Sequence, residues 1–331
     1  MVYIYKKLIG NKPYYYLRAS ERKGNKVIIK DLAYLGNSIE AARKALNNPR
    51  FKDRIRKAYK TIHNFIESNH YLEKVNSLKL KKDIFLDKKL PEVEACKLHY
   101  NLTFKKNDEI TKREILKNFI IEFAFNTTSI EGNTITSQEA RNLLEEGLTP
   151  KNKTLREIYD LQNTEKVFFD IIKLNEELTN EVITRIHSAL IENIDTRRGY
   201  RTTDVRVIKA KFKATPAPYV LIDMNLLLKW YLENKGKLHP LVLATVFHHK
   251  FEKIHPFMDG NGRVGRMLLN YMLIKNNYPP LIIHKKTRTK YLNALRLADQ
   301  NDLNHVRREN YFKLLQFVAD EMVNSYWNIF L

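Results

Sequence analysis

Twelve consecutive residues, His255-Pro-Phe-Met-Asp-Gly-Asn-Gly-Arg-Val-Gly-Arg266, bring together an imidazole, a carboxylate, three glycines and two guanidinium groups. Three of the chain's ten glycines stand here, at 260, 262 and 265, where backbone N–H groups can turn inward with no Cβ in the way. The stretch lies between apolar runs of helical period, so it reads as a loop leading into a helix that begins at Gly262 or Arg263. A helix start favours an anion through its free N–H groups and its dipole. Arg263 and Arg266 are three apart, fall on one helix face, and can reach the same phosphate chain. Asp259 is the hard-cation ligand of the set; one carboxylate suffices for Mg2+ when phosphate and water complete its shell. His255 can take a proton from an incoming hydroxyl. The spacing is not that of a P-loop, since no Gly-x-x-x-x-Gly-Lys-Ser/Thr occurs. The reading is a phosphate-binding active site with its own general base.

The elements that must position this loop are mostly helical. Apolar residues recur at helical spacing over Thr111–Phe125, Ser137–Glu146, Leu155–Leu174 and Thr179–Ile194. Further helices are expected after Asp223 as a cap, from Pro240 to about Ile254, over Thr287–Asp299 and over Asn310–Tyr326. The run breaks at Arg198-Gly-Tyr-Arg201. Residues 203–213 then alternate, with Val205 and Val207 on one side, and the Pro-containing stretch 214–218 turns the chain into Tyr219-Val-Leu221. This predicts a short β-hairpin. Its edge can take an extended peptide as an added strand, or the hairpin is a structural flap; the residues alone leave both open. His248 and His249, on the helix before the loop, read as structural. His187, His239, His284 and His305 have no metal-ligand spacing.

At the N-terminus, residues 2–9, 13–19 and 26–35 are rich in β-branched and aromatic side chains and are separated by Gly-Asn pairs at 10, 24 and 36. They predict a three-strand meander that must pack on something else. Its tyrosines could stack on bases or cover a helix, and covering a helix is the reading taken. Residues 38–80 turn helical, beginning with Ser38 as a cap. Residues 79–109 are charged, contain Pro91, and read as an exposed connector. The division expected is a β-rich region 1–48, a basic helical connector 49–105, and a main domain 106–331 with its core at about 178–320.

The formal charge is +21, and residues 1–100 hold 23 Lys and Arg against 10 Asp and Glu. Nucleic acid is therefore an alternative partner for residues 1–105, though solvated lysine is the reading taken. No run of eighteen apolar residues occurs, so no membrane partner is expected. A single cysteine, Cys96, excludes an internal disulfide and a cysteine-based zinc site, and a cytoplasmic protein is the expectation.

The loop resembles the Fic motif, His-Pro-Phe-x-Asp/Glu-Gly-Asn-Gly/Lys-Arg-x-x-Arg, and matches it at every fixed position. Flanking stretches are also similar: Gly199-Tyr-Arg201 with Val205, Leu238-His-Pro240, and His248-His-Lys-Phe-Glu-Lys-Ile. The resemblance spans roughly 110–325. It implies a mainly α, Fic-type (Fido) helical domain with a hairpin flap, and transfer of AMP from ATP to a Ser, Thr or Tyr hydroxyl of a target protein, the chain itself included. By position, His255 would be the base, Phe257 the loop's anchor, and Asp259 the holder of Mg2+. Gly260, Asn261 and Gly262 would cradle phosphates, Arg263 would stabilise the leaving pyrophosphate, and Arg266 would bind the γ-phosphate. Gly262, where a phosphorylating subgroup has Lys, favours nucleotidyl transfer. Arg201, Val205 and Val207 would form the target-docking flap. Thr127-Thr-Ser-Ile-Glu131-Gly-Asn133 resembles the family's inhibitory motif (class II type), on a helix at about 112–133. Its Glu131 would pair with Arg266 and bar a productive ATP pose. Asp299 stands where the family has an adenine-side Asn, a departure that leaves base selectivity less strict. The alternatives are removal of AMP at the same site, with Glu131 orienting a water, or a nucleic-acid-binding protein with an accessory Fic domain.

Overall fold

The structure is a computed structural model, and it describes the chain apart from residues 11, 206–212, 301–302 and 304–305. Strands β1 (Val2–Ile9), β2 (Lys12–Lys23) and β3 (Lys26–Gly36) form one antiparallel sheet in that order. Alternation places Ile4, Tyr15, Leu17 and Leu35 on the face that meets α1 (Ile39–Leu46) and α3 (Tyr59–Asn76), with the short α2 (Lys52–Lys57) between them in the chain. Ser38 caps α1 by accepting from the Ala41 N–H at 3.1 Å. Ile39, Ala42, Ile62 and Ile66 complete this small core.

A second, larger core begins further along α3, at Tyr71 and Val75. Helix α4 (Leu90–Leu102) belongs to it, with Val93, Ala95, Cys96, His99 and Tyr100 buried. The stretch 79–109, expected as an exposed connector, therefore contributes a buried helix to this core. Residues 49–66 join the small core and residues 90–104 the large one. Composition concealed this because Glu92, Glu94 and Lys97 share a helix with those buried residues while staying part-exposed themselves. Pro91 sits in the first turn of α4, where its missing N–H leaves no bond unmade.

The large core is built from α5 (Glu109–Glu131), α6 (Ser137–Glu146), α7 (Leu155–Lys173), α8 (Asn180–Leu190), α9 (Val220–Asn234), α10 (Pro240–Ile254), α11 (Asn261–Lys275), α12 (Arg288–Ala298) and α13 (Arg308–Ile329). Helices α10 and α11 are buried nearly all round, which makes them the axis on which the others pack. Helices α5, α7 and α8 lie against α11, while α9 and α13 lie against α10. The fold is mainly α, 63% helix, with the small sheet at the N-terminus. No helix among the described residues is long and apolar enough to cross a membrane.

Two local expectations are corrected. Tyr219-Val220-Leu221 is helical rather than a returning strand: a 3-10 turn at Ala217–Tyr219 runs directly into α9. Of the alternating stretch 203–213, residues 203–205 and 213 are not in a strand, and 206–212 lie outside the described residues. Asp223 does not cap α9 but stands in its first turn, where it accepts from the Thr215 hydroxyl at 2.6 Å.

Candidate active site

Helix α10 ends at His255, which takes a left-handed conformation (φ 54°), and α11 starts after Gly260 (φ 79°). The six residues between the helices thus turn sharply and must be held. Asn261 holds them from inside: its Oδ1 accepts from the Phe257 N–H (2.9 Å) and its Nδ2 donates to the Phe257 carbonyl (2.8 Å). Arg201 holds them from behind. Its backbone N–H donates to the Pro256 carbonyl (2.9 Å), and its Nε donates to the His255 carbonyl (2.8 Å). Phe257 is fully buried and stacks on the His187 ring, 3.7 Å between centroids and 2° between planes. His187 Nε2 donates to the Asp259 carbonyl at 3.1 Å, so one side chain braces the loop twice.

The loop forms one wall of a cavity of about 550 Å³, a size suited to a nucleotide-sized ligand. His255, Asp259, Gly260, Asn261, Gly262 and Arg263 line it on one side, and Glu131, Arg156 and Asp160 on the other. Burial lowers the pKa of the His255 imidazole, and the nearby Arg201 cation adds to the effect. Its Nδ1–H donates to the Glu252 carbonyl at 3.3 Å, which leaves Nε2 as the ring's acceptor. The first-turn N–H groups of α11 have no intrahelical acceptor, and their residues Asn261, Gly262 and Arg263 line the same space.

Burial pushes the Asp259 carboxyl up, but Arg263 and Arg156 outweigh it and hold it below the usual range. Asp259 is thus a charged oxygen donor facing the cavity. Its ion-pair partner Arg156 is more than half exposed, so nothing in the packing fixes that pair. Among the described residues no group of three or more His, Cys, Asp or Glu could hold a metal. The fit to Mg2+ is therefore that of a single hard ligand, with phosphate and water as the remainder.

Arg266 is 3% exposed and lies behind the cavity. Its Nε donates to Thr127 Oγ1 (2.7 Å) and its Nη2 to the Thr127 carbonyl (3.1 Å) and to Glu131 Oε1 (2.6 Å). The Glu131 carboxylate also rests on the first turn of α11. A Cβ added at Gly262 would lie 2.1 Å from Glu131 Oε1, so this approach requires glycine. The end of α5 is fixed in turn. Gly132 terminates it at φ 113°, Arg288 Nε donates to the Ile130 carbonyl (2.8 Å), and Asn133 Nδ2 donates to the Glu157 carbonyl (2.8 Å).

The structure brings most residues singled out in the sequence to one place, though not always in the expected role. Asn261 and Arg201 are loop braces. Arg201 is buried, with its guanidinium on the carbonyls of His255, Thr203 and Thr215, and so offers no docking group. Val205 is half-buried, and Val207 lies outside the described residues. Asp299 does not line the cavity; its carboxylate accepts from the buried His249 at 3.0 Å. Arg156, Asp160 and His187 were missed. Asp160 pairs with Arg263, and Arg156, four residues earlier on α7, pairs with Asp259. Their only signal was two charges at i and i+4 on a helix with no motif of its own. Asn261→Ala leaves the Phe257 N–H and carbonyl unpaired in a buried site and is expected to lower stability by about 2–4 kcal/mol, read as a denaturation midpoint.

A Fic/DOC family model matches residues 177–273. The chain is 26% identical over 229 residues to "Protein adenylyltransferase fic-1" of Caenorhabditis elegans, covering 64% of this chain and 45% of that protein. It is 30% identical over 214 residues to "Protein adenylyltransferase Fic" of Drosophila ananassae, covering 63% of this chain and 41% of that one. It thus spans less than half the length of these relatives. Among solved structures, a Fic-domain-containing signalling protein from Bacteroides thetaiotaomicron superposes with a TM-score of 0.65 at 23% identity, over 71% of this chain and 94% of that one. A Fic-1 fragment from C. elegans superposes at 0.60 and 22% identity, over 87% and 80%. The match to the family model over residues 177–273 shows a Fic/DOC domain in this chain, and the helical fold is shared with solved Fic-domain structures.

Proposed function

We propose that the chain is a protein adenylyltransferase restrained by its own Glu131. The observation that carries the restraint is the position of the Glu131 carboxylate, 2.6 Å from Arg266 and directly over Gly262. It occupies the anion site that the start of α11 and the buried arginine create together. ATP can place its terminal phosphate there only if the carboxylate leaves. The side chain of Glu131 is 46% exposed, so its departure needs no repacking of the core.

In the transfer step, His255 Nε2 takes the proton of a target Ser, Thr or Tyr hydroxyl. The freed oxygen bonds to the α-phosphorus of ATP as the bond from that phosphorus to the bridging oxygen breaks, and pyrophosphate leaves. Arg263, already buried against Asp160, offers fixed positive charge for the leaving group, and the first-turn N–H groups receive phosphate oxygens. Mg2+ held by Asp259 would neutralise phosphate charge. Asn261 and Arg201 act at one remove by fixing where His255 stands. Removal of AMP by a water that Glu131 orients uses the same groups. It is distinguished by loss of label from a modified target without ATP.

Glu131→Gly is expected to raise auto-AMPylation, measured with labelled ATP, by about tenfold or more, since it frees the productive pose. His255→Ala in that background should lower the rate by about a hundredfold to ten-thousandfold. An unchanged rate in Glu131→Gly would sink the restraint. The pH dependence follows from His255: the neutral imidazole is the base, and burial lowers its pKa. The single-turnover rate of Glu131→Gly should therefore hold as pH falls through about 6.5, where an unperturbed histidine would be half protonated, and drop only below it. An inflection above that pH would contradict the assignment.

A further inference from the structure

The N-terminal sheet has a face that its helices do not cover. Of the tyrosines on its strands, Tyr15 points to the small core and is fully buried. Tyr3, Tyr5, Tyr14, Tyr16 and Tyr34 alternate to the opposite side, which corrects the expectation that these rings cover a helix. Tyr5 stands opposite Tyr16, and Tyr16 opposite Tyr34, so the rings cross all three strands. The Tyr34 ring lies 5.3 Å from Tyr16 and 6.4 Å from Tyr14, and is itself 54% exposed. Arg18 lies opposite Tyr3 and stacks its guanidinium on the Tyr5 ring at 3.6 Å. Lys7, opposite Tyr14, and Arg22, further along β2, add exposed positive charge to this side. Asp31, opposite Arg18, is held by it at 2.5 Å.

Solvent-facing strand positions in a small sheet do not require rings. Five here, joined across the strands and flanked by cations, form a platform with two matched chemistries. Planar apolar faces suit unstacked bases, and the cations beside them suit phosphates. The surrounding chain has the same sign of charge, 23 Lys and Arg against 10 Asp and Glu in residues 1–100. We infer that this face binds single-stranded RNA. A duplex keeps its bases stacked and would meet only the cations, whereas a single strand can lay bases on the rings. Tyrosine hydroxyls, unlike phenylalanine, can also pair with the ribose 2′-OH. With strands about 4.8 Å apart, the platform accommodates roughly two to three bases. This surface belongs to the small core and is separate from the cavity at His255, so it holds or selects what the chain meets without entering the transfer chemistry.

The test is fluorescence anisotropy of the full chain with a labelled, mixed-sequence single-stranded RNA. Single-stranded DNA and duplex RNA of the same sequence serve as competitors, over roughly 50 to 300 mM salt. Single-stranded RNA should bind best. Tyr34→Ala, at an exposed ring that meets Tyr14 and Tyr16, should weaken binding about tenfold with the salt slope unchanged. Tyr34→Phe should stay within about threefold, and Lys7→Ala should reduce the salt slope by about one phosphate contact. Thermal unfolding of Tyr34→Ala at the wild-type midpoint would certify that the sheet is intact. Three results would overturn the inference: equal competition by duplex RNA or by single-stranded DNA, unchanged binding by a folded Tyr34→Ala, or no RNA binding by a chain that instead self-associates through this face.

Discussion

A guanidinium buried in a helical core must have an anion. Arg266 is fully enclosed between α5, α10 and α11, and leaving such a charge unpaired would cost several kcal/mol. Burial works against its charge, but the charge and hydrogen bond of Glu131 together with Tyr291 and Glu252 outweigh this and raise its pKa. Glu252 is also close, but burial pushes its carboxyl up to about 8, with Arg266 only partly countering it. Burial thus favours the neutral form of Glu252, and Glu131 is the carboxylate that hydrogen-bonds Arg266. On the function proposed, a phosphate that enters the cavity competes for the same requirement, and the organisation of the site is understood from that competition.

Glycine makes the competition geometrically possible. The absence of a side chain at Gly262 lets the carboxylate rest on the first turn of α11. At Gly265 the same absence lets α10 come close, since an added Cβ would lie 2.4 Å from Glu252 Oε1 and 2.8 Å from His248 Nδ1. Helices α10 and α11 are thereby fixed tightly enough that the loop between them has few options. Asn261, Arg201 and the stacked pair of Phe257 and His187 remove the rest. The proposed base, anion site and cation carboxylate are thus held in place by the packing of the loop before any ligand arrives, which is what preorganisation requires.

Much of this was legible in the sequence because it is local. The loop's residues are consecutive, helix starts carry Ser38 and Thr179 as caps, and the strands carry period-two patterning. The Glu131–Arg266 pair, 135 positions apart, was legible only because the stretch around Glu131 resembled a known motif. Contacts across elements without a motif were not legible. Arg156 and Asp160 reach the cavity because Asn133 and Thr134 tie the end of α5 to Glu157, and no spacing rule reports that. Arg201 read as a docking residue because its charge is visible in sequence and its burial is not. The charged stretch before residue 105 misled for a similar reason: the buried residues of α4 are interleaved with Glu and Lys. The tyrosines of the meander were assigned inward as a set, although the strand period allows only alternate residues inside.

We propose that Glu131 and the terminal phosphate of ATP compete for Arg266. Crystal structures of the wild-type chain and of Glu131→Gly, each with Mg2+ and a non-hydrolysable ATP analogue, test it most directly. The account predicts the γ-phosphate within hydrogen-bond distance of Arg266 in the variant, with Glu131 retaining that position and the triphosphate displaced in the wild type. A γ-phosphate on Arg266 in the wild type with the Glu131 pair still intact, or one away from Arg266 in the variant, would contradict it.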